Sequence, residues 1–196
     1  MDTEHKPMSV ERTSDKDRAN KYSTEIFRCL GMEQEDYKKS CYEGSKLDEM
    51  ELVDWIMVSK RTNQKYILCV RVQYDTTWNT FTIRASRSTG TMTELDKLRK
   101  GPIIPNVKYI HIQAYVVNGV VESAAVVESK KLVNYIDTEK PRLLTSYNAS
   151  GTSADFYVIP WDKLSDIVIY TRKVAGVTQL KSNNGRTFLP PKTSQD

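Results

Sequence analysis

The sequence is poor in the residues that build disulfide frameworks, zinc fingers and nucleotide-binding loops. It holds three cysteines and two histidines among 196 residues, and no pair of cysteines has C-x-x-C spacing. These numbers exclude the ligand set of a zinc finger and favour reduced thiols in a reducing compartment. The eight glycines form neither a Walker-type loop nor a dinucleotide-binding loop, and the G-x-S-x-G elbow of a serine hydrolase does not occur.

Long apolar runs are also missing. No run approaches the length that crosses a bilayer, and the N-terminal stretch MDTEHKPMSVERTSDKD lacks the apolar core of a signal peptide. We therefore expect an intracellular protein, cytosolic or nuclear, with no membrane contact and no secretion. The hydrophobic fraction of 39% is ordinary for one globular domain of this length. We expect a flexible tail over residues 1–16, one domain over 17–175 and a basic tail over 176–196.

The net charge of +4 is unevenly distributed along the chain. Residues 1–60 contain ten Lys and Arg against fourteen Asp and Glu, whereas the remainder contains nineteen against eleven. A basic surface attracts phosphate backbones by releasing counterions, although a chance sign bias on a solvated surface explains the charge alone equally well. The predicted contacts with nucleic acid are Lys60, Arg61, Lys65, Arg84, Arg87, Arg172 and Lys173.

Residues 51–73, ELVDWIMVSKRTNQKYILCVRVQ, contain two apolar runs joined by a polar, basic connector. Apolar side chains alternate in both runs, which is typical of strands that bury one face, and the connector has no apolar residue. The pattern predicts a β-hairpin. Asp54 lies near the start of its first strand, and Arg71 lies late in its second.

This hairpin resembles the core of the PD-(D/E)XK nuclease superfamily, most closely its intron-encoded homing endonuclease branch and the resolvase-like relatives. In that superfamily one strand carries an Asp and the next carries a (D/E/Q)-x-K tripeptide. The segment around Asp54 is similar to the first element. Cys69 stands where the family has its second acidic or amide residue, and Arg71 stands where it has lysine. The resemblance implies an α/β fold with a central mixed β-sheet flanked by helices, a restriction-endonuclease-like core.

A helix precedes the hairpin. Within residues 17–32 the apolar positions follow helical spacing, and Gly31 closes the pattern. Glu25 falls inside this helix and resembles the glutamate of the family's first core helix, although most single glutamates lie on a surface. The resemblance then implies a catalytic site of Glu25, Asp54, Cys69 and Arg71, with Glu25 and Asp54 as ligands of Mg²⁺.

The chemistry of two of these positions departs from the family. Mg²⁺ prefers oxygen ligands, so the thiol of Cys69 is a poor replacement for Glu or Gln. Arg71 keeps the positive charge of the lysine but is planar and permanently protonated. We therefore expect Mg²⁺ as cofactor only if the protein is an active endonuclease, and no cofactor otherwise.

Further elements follow from local patterns. We expect a third strand of the same sheet over Phe81–Ser86 and a short helix over 93–100, with Thr93 or Thr91 as N-cap and Gly101 as its end. The remaining predictions are a hairpin of strands 107–117 and 120–127 around Asn118-Gly119, a helix over 130–138 capped by Ser129, a loop over 146–153, and short strands over 156–160 and 168–170. His111 is expected to be half-buried within its strand rather than a catalytic base.

Three functions remain open. The leading interpretation is a protein that binds DNA or RNA on a nuclease-like fold whose metal site is altered. The alternatives are an active Mg²⁺-dependent endonuclease with a rearranged site, and a scaffold that contacts another protein. Fold alone does not decide between them. A homodimer or a protein partner is compatible with each.

Overall fold

The computed structural model describes residues 21–32, 37–41, 53–88, 90, 92–101, 106–147, 153–172 and 179–182. They form a mixed α/β structure with one seven-stranded sheet, one three-stranded sheet and three α-helices. The predicted α/β class and the central mixed sheet are confirmed. None of the helices in this described part of the chain is long and apolar enough to cross a membrane.

The large sheet has the strand order β1-β2-β3-β5-β6-β9-β10, and the small sheet has the order β4-β8-β7. Neighbouring strands are antiparallel except β3 and β5, which are parallel. The strands are β1 Tyr37–Cys41, β2 Trp55–Ser59, β3 Lys65–Tyr74, β4 Thr80–Arg87, β5 Val107–Val117, β6 Val120–Glu128, β7 Leu143–Tyr147, β8 Ser153–Pro160, β9 Val168–Thr171 and β10 Gln179–Ser182. The helices are α1 (residues 21–29), α2 Glu94–Lys100 and α3 Ser129–Glu139, with a 3₁₀ turn at Trp161–Lys163.

The predicted hairpin is confirmed as β2 and β3. Trp55 lies opposite Leu68 in an antiparallel register. As in any strand, successive side chains of β3 point to opposite faces of the sheet. One face packs against α1, where the rings of Phe27 and Trp55 meet edge to face with centroids 5.4 Å apart. The predicted helix is therefore present and flanks the hairpin.

Local sequence signals place several other elements as predicted. Thr93 and Asp96 form the capping box of α2, and Gly101 ends the helix with φ at 77°. Asn118 and Gly119 turn β5 into β6 with φ at 50° and 75°, the conformation that a type I′ turn requires. Ser129 is a correction, because it is the first residue of α3 and Glu128 occupies the N-cap without a side-chain bond.

The third predicted strand forms as β4, but the prediction that it belongs to the central sheet is wrong. β4 pairs with β8 in the small sheet. The edge of β3 that β4 would need is occupied by β5 over ten residue pairs, from Lys65 opposite Val107 to Tyr74 opposite Val116. Asp75 and Asn79, both with positive φ, turn the chain out of the large sheet and onto its face.

Three short strands, β1, β7 and β10, were not predicted. β7 lies at the edge of the small sheet and has no clean apolar alternation, since Leu143 is exposed. The loop predicted over 146–153 contains the end of β7 and the start of β8, and its residues 148–152 lie outside the described residues. β10 lies inside the segment predicted as a basic tail, and it pairs with β9. The predicted N-terminal tail lies outside the described residues.

Candidate functional site

A row of polar side chains lies on the face of the large sheet that α2 and β4 cover. The parallel register of β3 and β5 sets three pairs side by side, two residues apart along each strand. Residues two apart in a strand share a face, so the three pairs form one continuous row. The polar row consists of Cys69 with His111, Arg71 with Gln113, and Gln73 with Tyr115.

Strand β4 lies across the row, and its backbone hydrogen-bonds to two of the row's side chains. The hydroxyl of Tyr115 accepts a hydrogen bond from the Thr80 backbone N–H at 3.1 Å and donates one to the Thr80 carbonyl at 2.9 Å. The side-chain oxygen of Gln113 accepts from the Thr82 backbone N–H at 3.4 Å and from its hydroxyl at 3.3 Å. These bonds hold the small sheet on the face of the large one.

Glu94, the first residue of α2, is the carboxylate at the centre of the site and is 4% exposed. Its Oε2 accepts from Arg71 Nη2 at 2.7 Å and from the Arg84 backbone N–H at 3.0 Å. Its Oε1 lies 3.7 Å from Cys69 Sγ and 3.7 Å from His111 Nδ1. Burial by itself would raise the pKa of Glu94, but Arg71, His111 and the Arg84 backbone N–H outweigh it and lower that pKa. The carboxylate is therefore ionised at neutral pH.

His111 is fully buried, with 0% of its side chain exposed. Burial lowers its pKa to about 4, against an opposing effect of Glu94, so the ring is neutral at pH 7. Neither ring nitrogen has a hydrogen-bond partner among the described residues, and the 3.7 Å to Glu94 is too long for a hydrogen bond. A buried polar group left without a partner costs about 1–3 kcal/mol.

Two other side chains of the polar row have the same deficit. The side-chain nitrogen of Gln113 and the side-chain oxygen of Gln73 are buried, and nothing in the described part of the chain hydrogen-bonds to them. Unsatisfied buried polar atoms are rare in folded proteins. Four such atoms, on three side chains of one row, indicate a place where water or another group binds.

Cys69, Glu94 and His111 each offer one metal-ligating atom, and these three atoms lie within 4.8 Å of one another. In the described residues this is the only group of three or more His, Cys, Asp or Glu side chains arranged to hold a metal ion. Thiolate, imidazole and carboxylate together suit zinc, whereas Mg²⁺ is held by oxygen ligands.

Two arginines form a cationic rim beside this group. The guanidinium carbons of Arg71 and Arg84 lie 5.7 Å and 5.2 Å from the centroid of the Phe156 ring. Arg71 is 25% exposed and also donates to Thr82 Oγ1 at 3.3 Å. The carboxylate of Glu94 is buried, yet its proximity to both arginines lowers its pKa, and it is bonded directly to Arg71.

The structure brings together only part of the site that the resemblance implied. Cys69 and Arg71 share one face and both approach Glu94. Asp54 precedes β2, and its carboxylate accepts from the Val70 backbone N–H at 2.5 Å. It does not belong to the group of converging metal-ligating side chains.

Glu25 lies elsewhere. It acts electrostatically on Cys29 and Tyr170, which places it near β9 on the face that α1 covers. Ile26 is buried in the cluster between α1 and the sheet. The neighbours of Glu25 and of Asp54 differ, and the pairing of these two residues as ligands of one Mg²⁺ stays a prediction.

The predicted nucleic-acid contacts fall in three separate places. Lys60, Arg61 and Lys65 are exposed at the turn between β2 and β3. Arg84 and Arg87 are half-buried on β4, and Arg172 is exposed after β9. Lys173 lies outside the described residues.

Sequence reasoning missed Glu94 and predicted a half-buried His111, whereas His111 is fully buried. A glutamate directly after an N-cap threonine is typical of any helix start, so the sequence around Glu94 offered no separate signal. For His111 a signal existed. His111, Gln113 and Tyr115 alternate with apolar residues in a long strand, which indicates one polar face.

Comparisons with protein-family models, with curated proteins and with solved structures found no match to this chain.

Proposed function

We propose that this protein binds nucleic acid through the cationic rim of Arg71 and Arg84, without the Mg²⁺-dependent cleavage of the nucleases that its hairpin resembles. The observation that carries the proposal is the arrangement of two guanidinium groups against the ring of Phe156, with Glu94 bonded to the guanidinium of Arg71 and to the backbone N–H of Arg84. The rim combines positive charge with an aromatic ring in a partly exposed position.

The rim suits a phosphate group for two reasons. A guanidinium presents several N–H donors in a planar fork that matches phosphate oxygens. Arg71 is already oriented by Glu94 at 2.7 Å, so it loses less side-chain entropy on binding than a mobile surface arginine. Phe156 adds an aromatic surface of the kind that proteins use to stack unpaired bases.

A restriction-endonuclease-like core is part of the proposal. It is supported by the hairpin that begins at Asp54, by Cys69 and Arg71 on one face of its second strand, and by α1 packed against that hairpin. The thiol at Cys69 and the different neighbours of Glu25 and Asp54 disfavour a magnesium site. We therefore infer a binding protein rather than an endonuclease.

The test measures binding of fluorescent single-stranded and double-stranded DNA and RNA of one sequence at several salt concentrations. For the wild type we expect log affinity to fall linearly with log salt concentration. Arg84→Gln should reduce that slope by about one unit on duplex DNA, because it removes about one phosphate contact. Arg99→Gln is the matched control, since Arg99 is paired with Asp137 on the surface of α2 and α3. Equal slopes for the two variants would contradict the proposal.

A parallel assay separates the other functions. Supercoiled plasmid is incubated with the protein in Mg²⁺ or Mn²⁺, and nicking is followed by electrophoresis. Nicking that disappears in Asp54→Ala would support the endonuclease in place of the binding protein. No binding to any nucleic acid at low salt would support the scaffold.

A further inference from the structure

We infer that Cys69, Glu94 and His111 form a binding site for one zinc ion. The inference goes beyond nucleic-acid binding, because it rests on the buried end of the polar row and not on the cationic rim. Its basis is three metal-ligating atoms within 4.8 Å of one another and a buried histidine whose nitrogens lack hydrogen-bond partners among the described residues.

Two of the three spacings between the ligand atoms match those of a tetrahedral zinc site. Zinc bonds of about 2.0–2.3 Å at tetrahedral angles place neighbouring ligand atoms about 3.3–3.7 Å apart. Glu94 Oε1 lies 3.7 Å from Cys69 Sγ and 3.7 Å from His111 Nδ1. The third spacing, between Cys69 Sγ and a nitrogen of His111, is within 4.8 Å.

The three ligands come from three elements that the fold fixes. Cys69 on β3 and His111 on β5 lie directly opposite each other in the parallel register. Glu94 begins α2, and the capping box of Thr93 holds that end of the helix. Glu94 and His111 lie outside the hairpin that resembles the nucleases, so the ligand set does not follow from that resemblance.

The three ligands can balance the charge of a divalent cation. A neutral imidazole binds a metal without losing a proton. Cys69 would bind as the thiolate and release one proton. One thiolate and one carboxylate then balance the two charges of Zn²⁺, and a nitrogen of His111 gains a partner.

The surroundings of Glu94 orient it as a ligand. Its Oε2 is held by Arg71 Nη2 at 2.7 Å and by the Arg84 backbone N–H at 3.0 Å, which leaves Oε1 directed toward Cys69 and His111. Carboxylate ligands of metals are commonly fixed by such outer hydrogen bonds. Three protein ligands leave a fourth position for water or an anion, as in zinc sites that are not purely structural.

Cobalt provides a direct test, because Co²⁺ bound to a thiolate at a tetrahedral site gives a charge-transfer absorption and visible d–d bands. The sequence has only three cysteines, so Cys29→Ser with Cys41→Ser leaves Cys69 as the sole thiol. We expect this double variant to develop both absorptions at one Co²⁺ per chain and to lose them when Zn²⁺ is added. Adding Cys69→Ser should abolish the charge-transfer absorption.

A second variant covers the case in which Cys69→Ser fails to fold. Glu94→Gln keeps the thiolate but removes a charged ligand, so Co²⁺ should still give the charge-transfer absorption with an affinity reduced by at least about tenfold. A folded double variant without that absorption would overturn the zinc site. So would an absorption that survives Cys69→Ser, or an unchanged affinity in Glu94→Gln. None of these outcomes affects the salt dependence of Arg84→Gln, so the two proposals fail separately.

Discussion

The two faces of the seven-stranded sheet are built differently from the same strands. On the face toward α1, Tyr66 and Leu68 of β3 join an apolar cluster with Ile110 and Ile112 of β5. On the opposite face the intervening residues of those two strands form the polar row. The first face is ordinary hydrophobic packing, whereas the second combines an apolar core with buried polar side chains.

The difference indicates which face carries function. Apolar burial contributes about 25 cal/mol per Å² and accounts for the first face without further explanation. A fully buried His111, and the buried atoms of Gln73 and Gln113 that have no partner among the described residues, lower stability instead. Proteins retain such groups where a site requires them. The polar row is therefore the part of the core that stability alone does not explain.

The largest effect is expected from truncation on the apolar face. Leu68 is 0% exposed, and Leu68→Ala removes buried methyl groups and leaves a cavity. We expect a loss of about 2–5 kcal/mol in the free energy of unfolding, measured with urea. Trp78→Ala is the control, because Trp78 is 61% exposed and its replacement should change stability by less than about 0.5 kcal/mol. Similar losses in both variants would show that this face is not a packed core.

The pH dependence of stability should come from the polar row. His111 has a pKa of about 4 in the folded chain against an ordinary value of 6.5, so below pH 6.5 the unfolded chain binds a proton that the folded chain does not. Stability must therefore fall as the pH drops from 6.5 towards 4. The lowered pKa of Glu94 acts in the same direction at lower pH, since its contribution is complete above its ordinary value of 4.5 and is lost on acidification.

Between pH 7 and pH 5 the expected loss is about 2 kcal/mol, since each pH unit below 6.5 contributes up to about 1.4 kcal/mol per proton. Urea unfolding at both values measures it. His111→Leu should remove most of this loss, and His5→Gln, which changes the other histidine, should leave it in place. The same loss in both variants would rule out His111 as its source.

One arginine–carboxylate pair lies at the polar row and another lies on the surface. Breaking each pair in turn compares the contributions of the two environments to stability. Arg71→Gln leaves the buried carboxylate of Glu94 without its closest cation, and we expect a loss of about 2 kcal/mol, less than for a fully buried pair because Arg71 is 25% exposed. Arg99→Gln breaks a pair whose side chains are 47% and 48% exposed, and should cost less than about 1 kcal/mol. Thermal and urea unfolding measure both. A larger loss in Arg99→Gln would contradict the contrast.

Sequence patterns predicted the helices and strands of the fold wherever the signal is local. The alternation in β2 and β3, the capping residues of α2 and the Asn118-Gly119 turn each specify structure within a few residues. The position of β4 was not readable, because its partner β8 lies about seventy residues further along the chain. Local patterns predict that a strand forms but do not choose which strand it pairs with.

The candidate site was predicted in part for the same reason. Cys69 and Arg71 were found through the hairpin, which is one local unit. Their partners Glu94 and His111 come from α2 and β5, and only the parallel register of β3 with β5 brings them together. Glu25 was assigned by resemblance, yet the rotation of α1 directs it toward Tyr170. The residues next to these side chains in the sequence specify neither the strand register nor the rotation of the helix.

The most direct test of the central claim is the stability of His111→Leu with and without zinc. In EDTA at pH 7 we expect the variant to be as stable as the wild type or slightly more stable, because it replaces a buried group without hydrogen-bond partners by an apolar one. With zinc at about one hundred times its dissociation constant, the wild type should gain about 2.7 kcal/mol and the variant nothing. A variant that loses several kcal/mol in EDTA, together with a wild type that zinc does not stabilise, would show that His111 serves the fold and that the polar row holds no metal.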